Sequence, residues 1–456
     1  MADAGSAPVL DRIFKAYDVR GVVPDELDVD LVRRIGSAFV EWSGLSRFLI
    51  GRDARLSSPD LAAALADGIT ARGADVADLG LASTDLLYYA SGSLDLPGIM
   101  LTASHNPKQY NGLKFCLPGA KPVGQDTGLG DIRAIVERDG AAAGHARGTV
   151  ESVELLDGYV EHVLRFVNIG AMRPLTVVAD TANGMGGLVV PAVMERLPIT
   201  LHHMYPELDG TFPNHPADPI DPENQKELKA SVLRTAADVG LAFDGDADRV
   251  FLVDERAGDV TGSVLTALVA RAMLRREPGA KIVHNLICSW IVPETVRAEG
   301  GEPVRTRVGH SFIKQVMAET GAVFGGEHSG HYYFRDNYRA DSGLIAAVIV
   351  LGELSAADAP LSEVLVPFRK YFASGEINSK VGDPAAAMDA VASALADGRQ
   401  DRVDGLTVEF DDWWCNVRPS NTEPLLRLNA EATTAELLAE RTDLVLGVIR
   451  AEGGNA

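Results

Sequence analysis

Cysteine is scarce. Cys116, Cys288 and Cys415 are the only three in 456 residues, they lie far apart, and no CxxC pair occurs. That excludes a disulfide framework and a usual zinc site, and a reducing compartment is expected. Long apolar runs are lacking too. No stretch approaches the roughly 18 apolar residues that a membrane-crossing helix needs. The opening, MADAGSAPVLDRIFKAYD, has neither the basic start nor the continuous apolar core of a signal peptide. The expectation is a cytoplasmic protein with no membrane partner. Positive charge is short as well: 42 Lys and Arg stand against 64 Asp and Glu, for a net charge of −22. This balance repels nucleic acid at long range, so no nucleic-acid partner is expected. A small anionic substrate survives the same test only if identifiable basic residues gather near it. Nucleotide signatures are also missing. NGMGGL (183–188) puts Val189 where GxGxxG needs its third glycine, and no GxxxxGK[ST] occurs. Nothing resembles the GxSxG elbow of an α/β-hydrolase.

What is present suits a multidomain globular chain: 46% hydrophobic and 23% charged residues over a length that exceeds one core. Strand-like and helix-like segments alternate. RFLIGRD (47–53) reads as a buried strand. SPDLAAALADGITARGA follows as a helix with a Ser cap and Pro at its first position. The rhythm argues for α/β units with largely parallel sheets. It restarts at LTVVADTANGMGG and again near SVLTALVARAML, then gives way after about residue 370 to a smaller α+β texture. Polar stretches at 140–148 and 373–383 read as linkers.

The sharpest chemical signal is DGDADR (244–249). Aspartates at i, i+2 and i+4 line one side of an extended segment, and the preceding VGLAF reads as a strand. Asp244, Asp246 and Asp248 would then project together, repel one another and raise each other's pKa unless a cation intervenes. Oxygen-only ligands suit Mg²⁺. An EF-hand is rejected, because its sixth position is Arg249 instead of glycine and its flanks are strands. A phosphatase with an aspartate nucleophile and a solvated acidic turn remain open.

GIMLTASHNPKQYNGLKF (98–115) sets Ser104 beside His105 where a buried strand leaves the core. A serine hydroxyl is a poor unaided nucleophile, but it stores a phosphoryl group stably and with extra negative charge. A phosphoserine at Ser104 would add a fourth oxygen to the three aspartates. Pro107 biases Asn106 away from helix, which predicts an extended loop and an exposed Ser104. A turn at Asn111–Gly112 would bring Lys114 back toward it. The alternative is an ordinary polar loop.

GGEHSGHYYF (325–334) spaces Glu327, Ser329 and His331 two residues apart, on one side if extended, as suits the reading of sugar hydroxyls. A polar hairpin at a sheet edge explains it as well. RTRVGHS (305–311) adds Arg305, Arg307 and His310. RPSNTEPLLR (418–427) gathers Arg418, Ser420, Asn421, Thr422 and Arg427, a set able to surround a phosphate with cations, hydroxyls and backbone N–H groups.

TASHNP, DGDADR, GEHSG and RPSNTEP, in that order, resemble the motifs of the α-D-phosphohexomutase superfamily, and the chain is similar to its bacterial phosphomannomutase/phosphoglucomutase family. The likeness runs from FKAYDVRG (14–21) through DGTFPNHPADP (209–219) to the end. It implies three related α/β domains with mixed sheets (1–150, 151–255, 256–370) and a C-terminal α+β lid (371–456) around a central cleft. It also implies a phosphoserine at Ser104 and Mg²⁺ on that residue with Asp244, Asp246 and Asp248. Arg249 would contact the phosphoserine phosphate, with Arg20, His105, Lys114 and His310 around the transfer site. Lys114 is the first choice for proton transfer and His310 the second. Glu327 and Ser329 would hold the sugar, with His331 added from the spacing above, and the Arg418–Arg427 loop would hold the idle phosphate. The implied reaction interconverts hexose 1- and 6-phosphates, mannose preferred and glucose possible, through a hexose 1,6-bisphosphate, in a monomer or homodimer. His328 stands where many hexose mutases carry methionine, and 285–294 lacks a cation that some relatives place there. The rival readings are a Mg²⁺-dependent sugar-phosphate phosphatase, a non-catalytic sugar-phosphate sensor and, within the superfamily, a phosphoglucosamine mutase.

Overall fold

The computed structural model describes residues 6–138, 146–419 and 425–451, with the backbone alone for residues 6–8 and 310. Four sheets follow one another along the chain. The first runs Val19–Val22, Tyr110–Leu117, Gly98–Leu101, Arg47–Arg52, Asp75–Leu81, Val150–Ser152, with Lys121–Pro122 paired to Tyr110–Leu117. Its centre is parallel, but Tyr110–Leu117 returns antiparallel beside Gly98–Leu101. The loop between those two strands carries Ser104, so a strand end and a reversal together place the serine.

The second sheet is ordered Asp259–Val260, Val250–Asp254, Val239–Phe243, Leu175–Asp180, Ile199–Met204. Val239–Phe243 pairs parallel to Leu175–Asp180 and antiparallel to Val250–Asp254, and the reversal from Val239–Phe243 into Val250–Asp254 holds the three aspartates. The third sheet is Glu302–Thr306, Lys281–Asn285, Phe324–Gly326, Tyr332–Phe334. The fourth is wholly antiparallel, Phe372–Lys380, Leu425–Ala432, Trp413–Pro419, Leu406–Glu409, Arg399–Asp401. The architecture is thus three α/β domains with mixed sheets and a smaller C-terminal α+β domain.

The second and third domains share one apolar core, in which Val177, Leu241, Leu268, Phe324 and Val348 are all buried. The helix Gly343–Ala356 fits this role because it is apolar nearly all round, which only a buried helix tolerates. The first and last domains have cores of their own, around Phe39, Phe48 and Phe115, and around Val408, Val417 and Leu428. Among the described residues no helix is long and apolar enough to cross a membrane.

Several local expectations are corrected. The stretch 373–383 is not a linker: Phe372–Lys380 is an edge strand of the last sheet, its apolar alternation hidden by Ser, Gly and Glu. The other linker, 140–148, lies mostly outside the described residues. Two short edge strands cross the expected domain limits, Val150–Ser152 joining the first sheet and Asp259–Val260 the second. The helix Ser58–Ala71 has no side-chain cap. The Ser58 hydroxyl donates instead to Asp53 Oδ1 at 2.7 Å, because that carboxylate is buried and needs donors. Asn111 and Gly112 form no turn and lie within the strand Tyr110–Leu117.

His284, on the strand Lys281–Asn285, is fully enclosed, and burial pushes its imidazole down to about 4. Its folded value lies below the unfolded one, so its neutral form stabilises the fold fully above about pH 6.5, and that stability is lost as pH falls toward 4. His284→Gln is expected to flatten this part of the profile. Urea unfolding at pH 7 and pH 4.5 should show a gap smaller by on the order of 2 kcal/mol than in the native sequence.

Candidate active site

Ser104 and Asp244 lie 140 positions apart in sequence, yet the Ser104 hydroxyl donates to Asp244 Oδ2 at 2.6 Å. The serine is turned and enclosed, not extended and exposed as Pro107 suggested: its φ is +50° and it is 4% exposed. Its N–H donates to Thr102 Oγ1 at 2.9 Å, and His105 Nδ1 lies 3.2 Å from its Oγ. Burial, then the charges of Arg249 and Arg20, push His105 well below the ordinary histidine range, so it is neutral.

The aspartates converge differently from the extended reading as well. Residues 244–248 form a tight reversal with Ala247 at φ +63°, and each aspartate offers one oxygen within 4.8 Å of the others. Gly245 is required here. A Cβ on it would stand 2.4 Å from the carbonyl oxygen of Ser104, and one on Gly184 would stand 2.6 Å from the carbonyl of Gly245. Backbone therefore stacks directly on backbone where the first two domains meet. Gly245→Ala must part the serine loop from the acids, so it is expected to cost about 2–3 kcal/mol in a urea melt and to depress activity beyond that loss.

Two cations pair with the acids, and a third, Arg20, stands against the serine loop. Arg249 Nε donates to Asp244 Oδ2 at 2.9 Å. Lys114 Nζ lies 2.7 Å from Asp246 Oδ2 and 2.6 Å from Asp248 Oδ2. Arg20 pairs with Asp18 at 2.6 Å and donates to Asn106 Oδ1. Burial raises the Asp244 carboxyl to about 7 against the pull of Arg249. At Asp246 burial is outweighed by Lys114, and the carboxyl falls below its usual range. Lys114 stays an ammonium, because Asp246 and Asp248 overcome its burial and raise its pKa well above normal.

The acids fit a divalent ion by a test independent of their spacing. Asp246 Oδ1 and Asp248 Oδ1 are buried with no hydrogen-bond partner, which is costly for a carboxylate unless a cation takes the lone pairs. The donor set is all oxygen, as a hard cation prefers.

Glu327, Ser329 and His331 do not share one extended side. The segment is a hairpin turn between Phe324–Gly326 and Tyr332–Phe334, with Gly330 at φ +87° over the ring of Phe251. Glu327 is buried and already engaged: Oε1 accepts from Gly309 N and Asn285 Nδ2 at 3.1 Å each, and Oε2 from the Tyr333 hydroxyl at 2.8 Å. His331 turns toward the acids, with Nδ1 2.9 Å from Asp341 Oδ2 and 3.9 Å from Asp248 Oδ1. These two charges outweigh burial and raise its pKa. Ser329 lines a cavity of about 560 Å³ together with His328, Ser289, Glu376 and Asn429, within the size range of small-ligand sites.

Glu376, on the lining of that cavity, pairs with both Arg418 and Arg427, which stand opposite each other on adjacent strands, at 2.8 and 3.3 Å. Arg418 Nε is buried without a partner. Ser420, Asn421 and Thr422, between those strands, lie outside the described residues, as does the side chain of His310. Arg305 and Arg307 look elsewhere: Arg305 pairs with Asp401 at 2.5 Å, and Arg307 lies over the ring of Phe312. The loop 285–290 contributes a dock instead of a cation. Trp290 donates from its backbone to Glu431 at 2.9 Å and from its indole to Glu409 at 3.1 Å, and Val308 N donates to Asp404 at 2.9 Å.

Sequence reasoning missed three participants. Thr84 donates to Asp246 Oδ2 at 2.6 Å from the first turn of the helix Thr84–Leu94. Glu376 ties the two arginines. Arg55 reaches the serine loop through four backbone carbonyls; a charged pair, Asp53 and Arg55, directly after an apolar strand was the available signal.

A serine hydroxyl held against three clustered, buried acids and their paired cations suits a phosphoryl-transfer enzyme. The comparisons with known proteins specify which. Residues 11–142, 157–258 and 261–371 match the phosphoglucomutase/phosphomannomutase alpha/beta/alpha domains I, II and III, and residues 376–447 match the C-terminal domain. A phosphomannomutase of Salmonella montevideo is 40% identical over 448 residues, covering 96% of this chain and 98% of the relative. A Xanthomonas campestris protein named phosphohexose mutases is 41% identical, covering 96% and 99%. A crystal structure of a family protein from Burkholderia thailandensis superposes with a TM-score of 0.89 at 34% identity, covering 97% of this chain and 98% of that one. The chain belongs to the phosphoglucomutase/phosphomannomutase family. It is a phosphohexomutase.

Proposed function

We propose that this enzyme interconverts the 1- and 6-phosphates of a hexose, mannose before glucose, by way of a phosphorylated Ser104 and a hexose 1,6-bisphosphate. The observation that carries the reading is the 2.6 Å hydrogen bond from the Ser104 hydroxyl to Asp244, since it puts a storable phosphoryl group against the acid cluster. Mannose is preferred because relatives at about 40% identity are named phosphomannomutase.

Asp244, Asp246 and Asp248, with an oxygen on residue 104, would hold Mg²⁺, which when bound offsets the charge on the transferring phosphoryl oxygens. In the forward half-reaction the serine O–P bond breaks, a sugar hydroxyl oxygen bonds to phosphorus, and the hydroxyl proton leaves. Arg249 sits on Asp244 and keeps a buried Nη2 without a partner, so it can receive a phosphate oxygen. Lys114 is an ammonium in this environment and suits protonation of the serine oxygen as it departs. Its conjugate amine, or His310, would accept the sugar proton. His105, neutral beside Ser104, adds a hydrogen-bonding ring without a competing charge.

The bisphosphate then turns end for end and its other phosphate returns to Ser104. Arg418 and Arg427, with the 420–422 loop, would grip whichever phosphate is idle, so both orientations are held alike. Ser329, on the cavity lining, would read sugar hydroxyls; Glu327, its oxygens already engaged, would hold Gly309 and Asn285 in place. A phosphatase using Asp244 as nucleophile is disfavoured, because Asp244 Oδ2 already accepts from Ser104 and Arg249. Intact-mass analysis should find one phosphate on Ser104, and mannose 1-phosphate should be isomerised faster than glucose 1-phosphate. Free phosphate as the main product would sink the proposal.

A further inference from the structure

We infer that Arg55 is a positioning residue for phosphoryl transfer, fixing the direction of the Ser104 hydroxyl without touching substrate. The inference rests on the reading of Ser104 as the phosphoryl carrier. Arg55 is 1% exposed, and its five N–H groups are all spent on two tasks. Nε donates to Asp53 Oδ2 at 3.1 Å. Nη1 donates to the carbonyls of Pro107 at 2.8 Å and Tyr110 at 3.0 Å, and Nη2 to those of Ser104 at 2.8 Å and Asn106 at 2.7 Å.

Four carbonyls from one short loop thus point at one cation. Without it the buried Ser104 carbonyl would lose its donor, and the half-buried turns at Asn106 and Tyr110 would lose the cation that ties them together. The loop would open, and the residue most affected is Ser104, held at φ +50° where a side chain is disfavoured. Its carbonyl is gripped from both sides, by Arg55 Nη2 and by the close approach of Gly245. Fixing that carbonyl fixes the backbone from which Oγ reaches Asp244. The second domain completes the clamp: Arg55 lies over the ring of Phe212 at 5.2 Å, and a Cβ on Gly210 would stand 2.3 Å from Arg55 Cα. Lysine cannot substitute, because three donors on one nitrogen do not span four carbonyls and a carboxylate.

The test compares Arg55→Lys and Phe212→Leu with the unaltered enzyme and with Leu65→Ala, a first-domain core variant that loses stability away from the loop. Steady-state kinetics per folded molecule are combined with rapid-quench intact mass to follow Ser104 phosphorylation by glucose 1,6-bisphosphate. Arg55→Lys is expected to lower kcat and the phosphorylation rate on the order of 10²-fold, with KM within about threefold. Phe212→Leu, which frees the guanidinium face and removes no hydrogen bond, should lower both about fivefold. Leu65→Ala should leave kcat unchanged. Folded Arg55→Lys enzyme with undiminished kcat overturns the inference. Should that variant not fold, undiminished kcat in Phe212→Leu overturns it instead. A failed carrier reading looks different, since Ser104→Ala would then keep its turnover.

Discussion

Ser104→Ala is expected to remove turnover by on the order of 10⁴-fold or more, because deleting a nucleophile that forms a covalent intermediate leaves only binding and electrostatics. The loss should fall on kcat. The sugar-phosphate contacts proposed at Ser329 and Arg418 do not involve the serine, so KM should change little. Folding should survive: the hydroxyl's partner, Asp244, keeps its contacts to Arg249. Coupled assays of hexose 6-phosphate formation from mannose 1-phosphate, with a urea melt as control, separate the two quantities. Mass analysis adds a second arm, since the variant must carry no phosphate. Undiminished turnover would place the transferring atom elsewhere.

Removing divalent cations should have the next largest effect, a fall on the order of 10³-fold. The three acids are fully buried, Lys114 neutralises part of their charge, and two of their oxygens have no protein donor. Dialysis against a chelator followed by assay, then Mg²⁺ titration, reads the loss and its reversal. Asp248→Asn should weaken the Mg²⁺ requirement curve, shifting half-saturation to higher concentration by at least about tenfold. Full activity in excess chelator would refute the metal reading. An unchanged Mg²⁺ curve in Asp248→Asn would take that residue out of the ligand set.

The sequence carried the chemistry further than the shape. Asp244, Asp246, Asp248, Ser104 and Lys114 were all nameable, because hydroxyl, carboxylate and amine chemistry depends on residue type. Their geometry was read less well, and for one physical reason. Both loops read as extended in the sequence, whereas each is a tight reversal whose backbone enters the left-handed region at Ser104 and Ala247. Non-glycine residues give no local sign of such angles; contacts from another domain impose them. His331 reads as a sugar ligand from its spacing, while the turn at Gly330 also sets its ring against Asp341 and toward Asp248. Edge strands such as Phe372–Lys380 escaped notice because a half-exposed strand needs little apolar alternation. Arg55 was invisible as a partner of Ser104, since its ligands are carbonyls, which every residue has.

The contact between Gly245 and the Ser104 carbonyl reaches beyond catalysis. Hydroxyl and acids are contributed by different domains, so neither domain alone holds the pair. On the proposed mechanism, a first domain emerging during synthesis carries the hydroxyl without the acids that would hold its cation until the next domain has docked. Assembly of the chain is thereby its own safety catch.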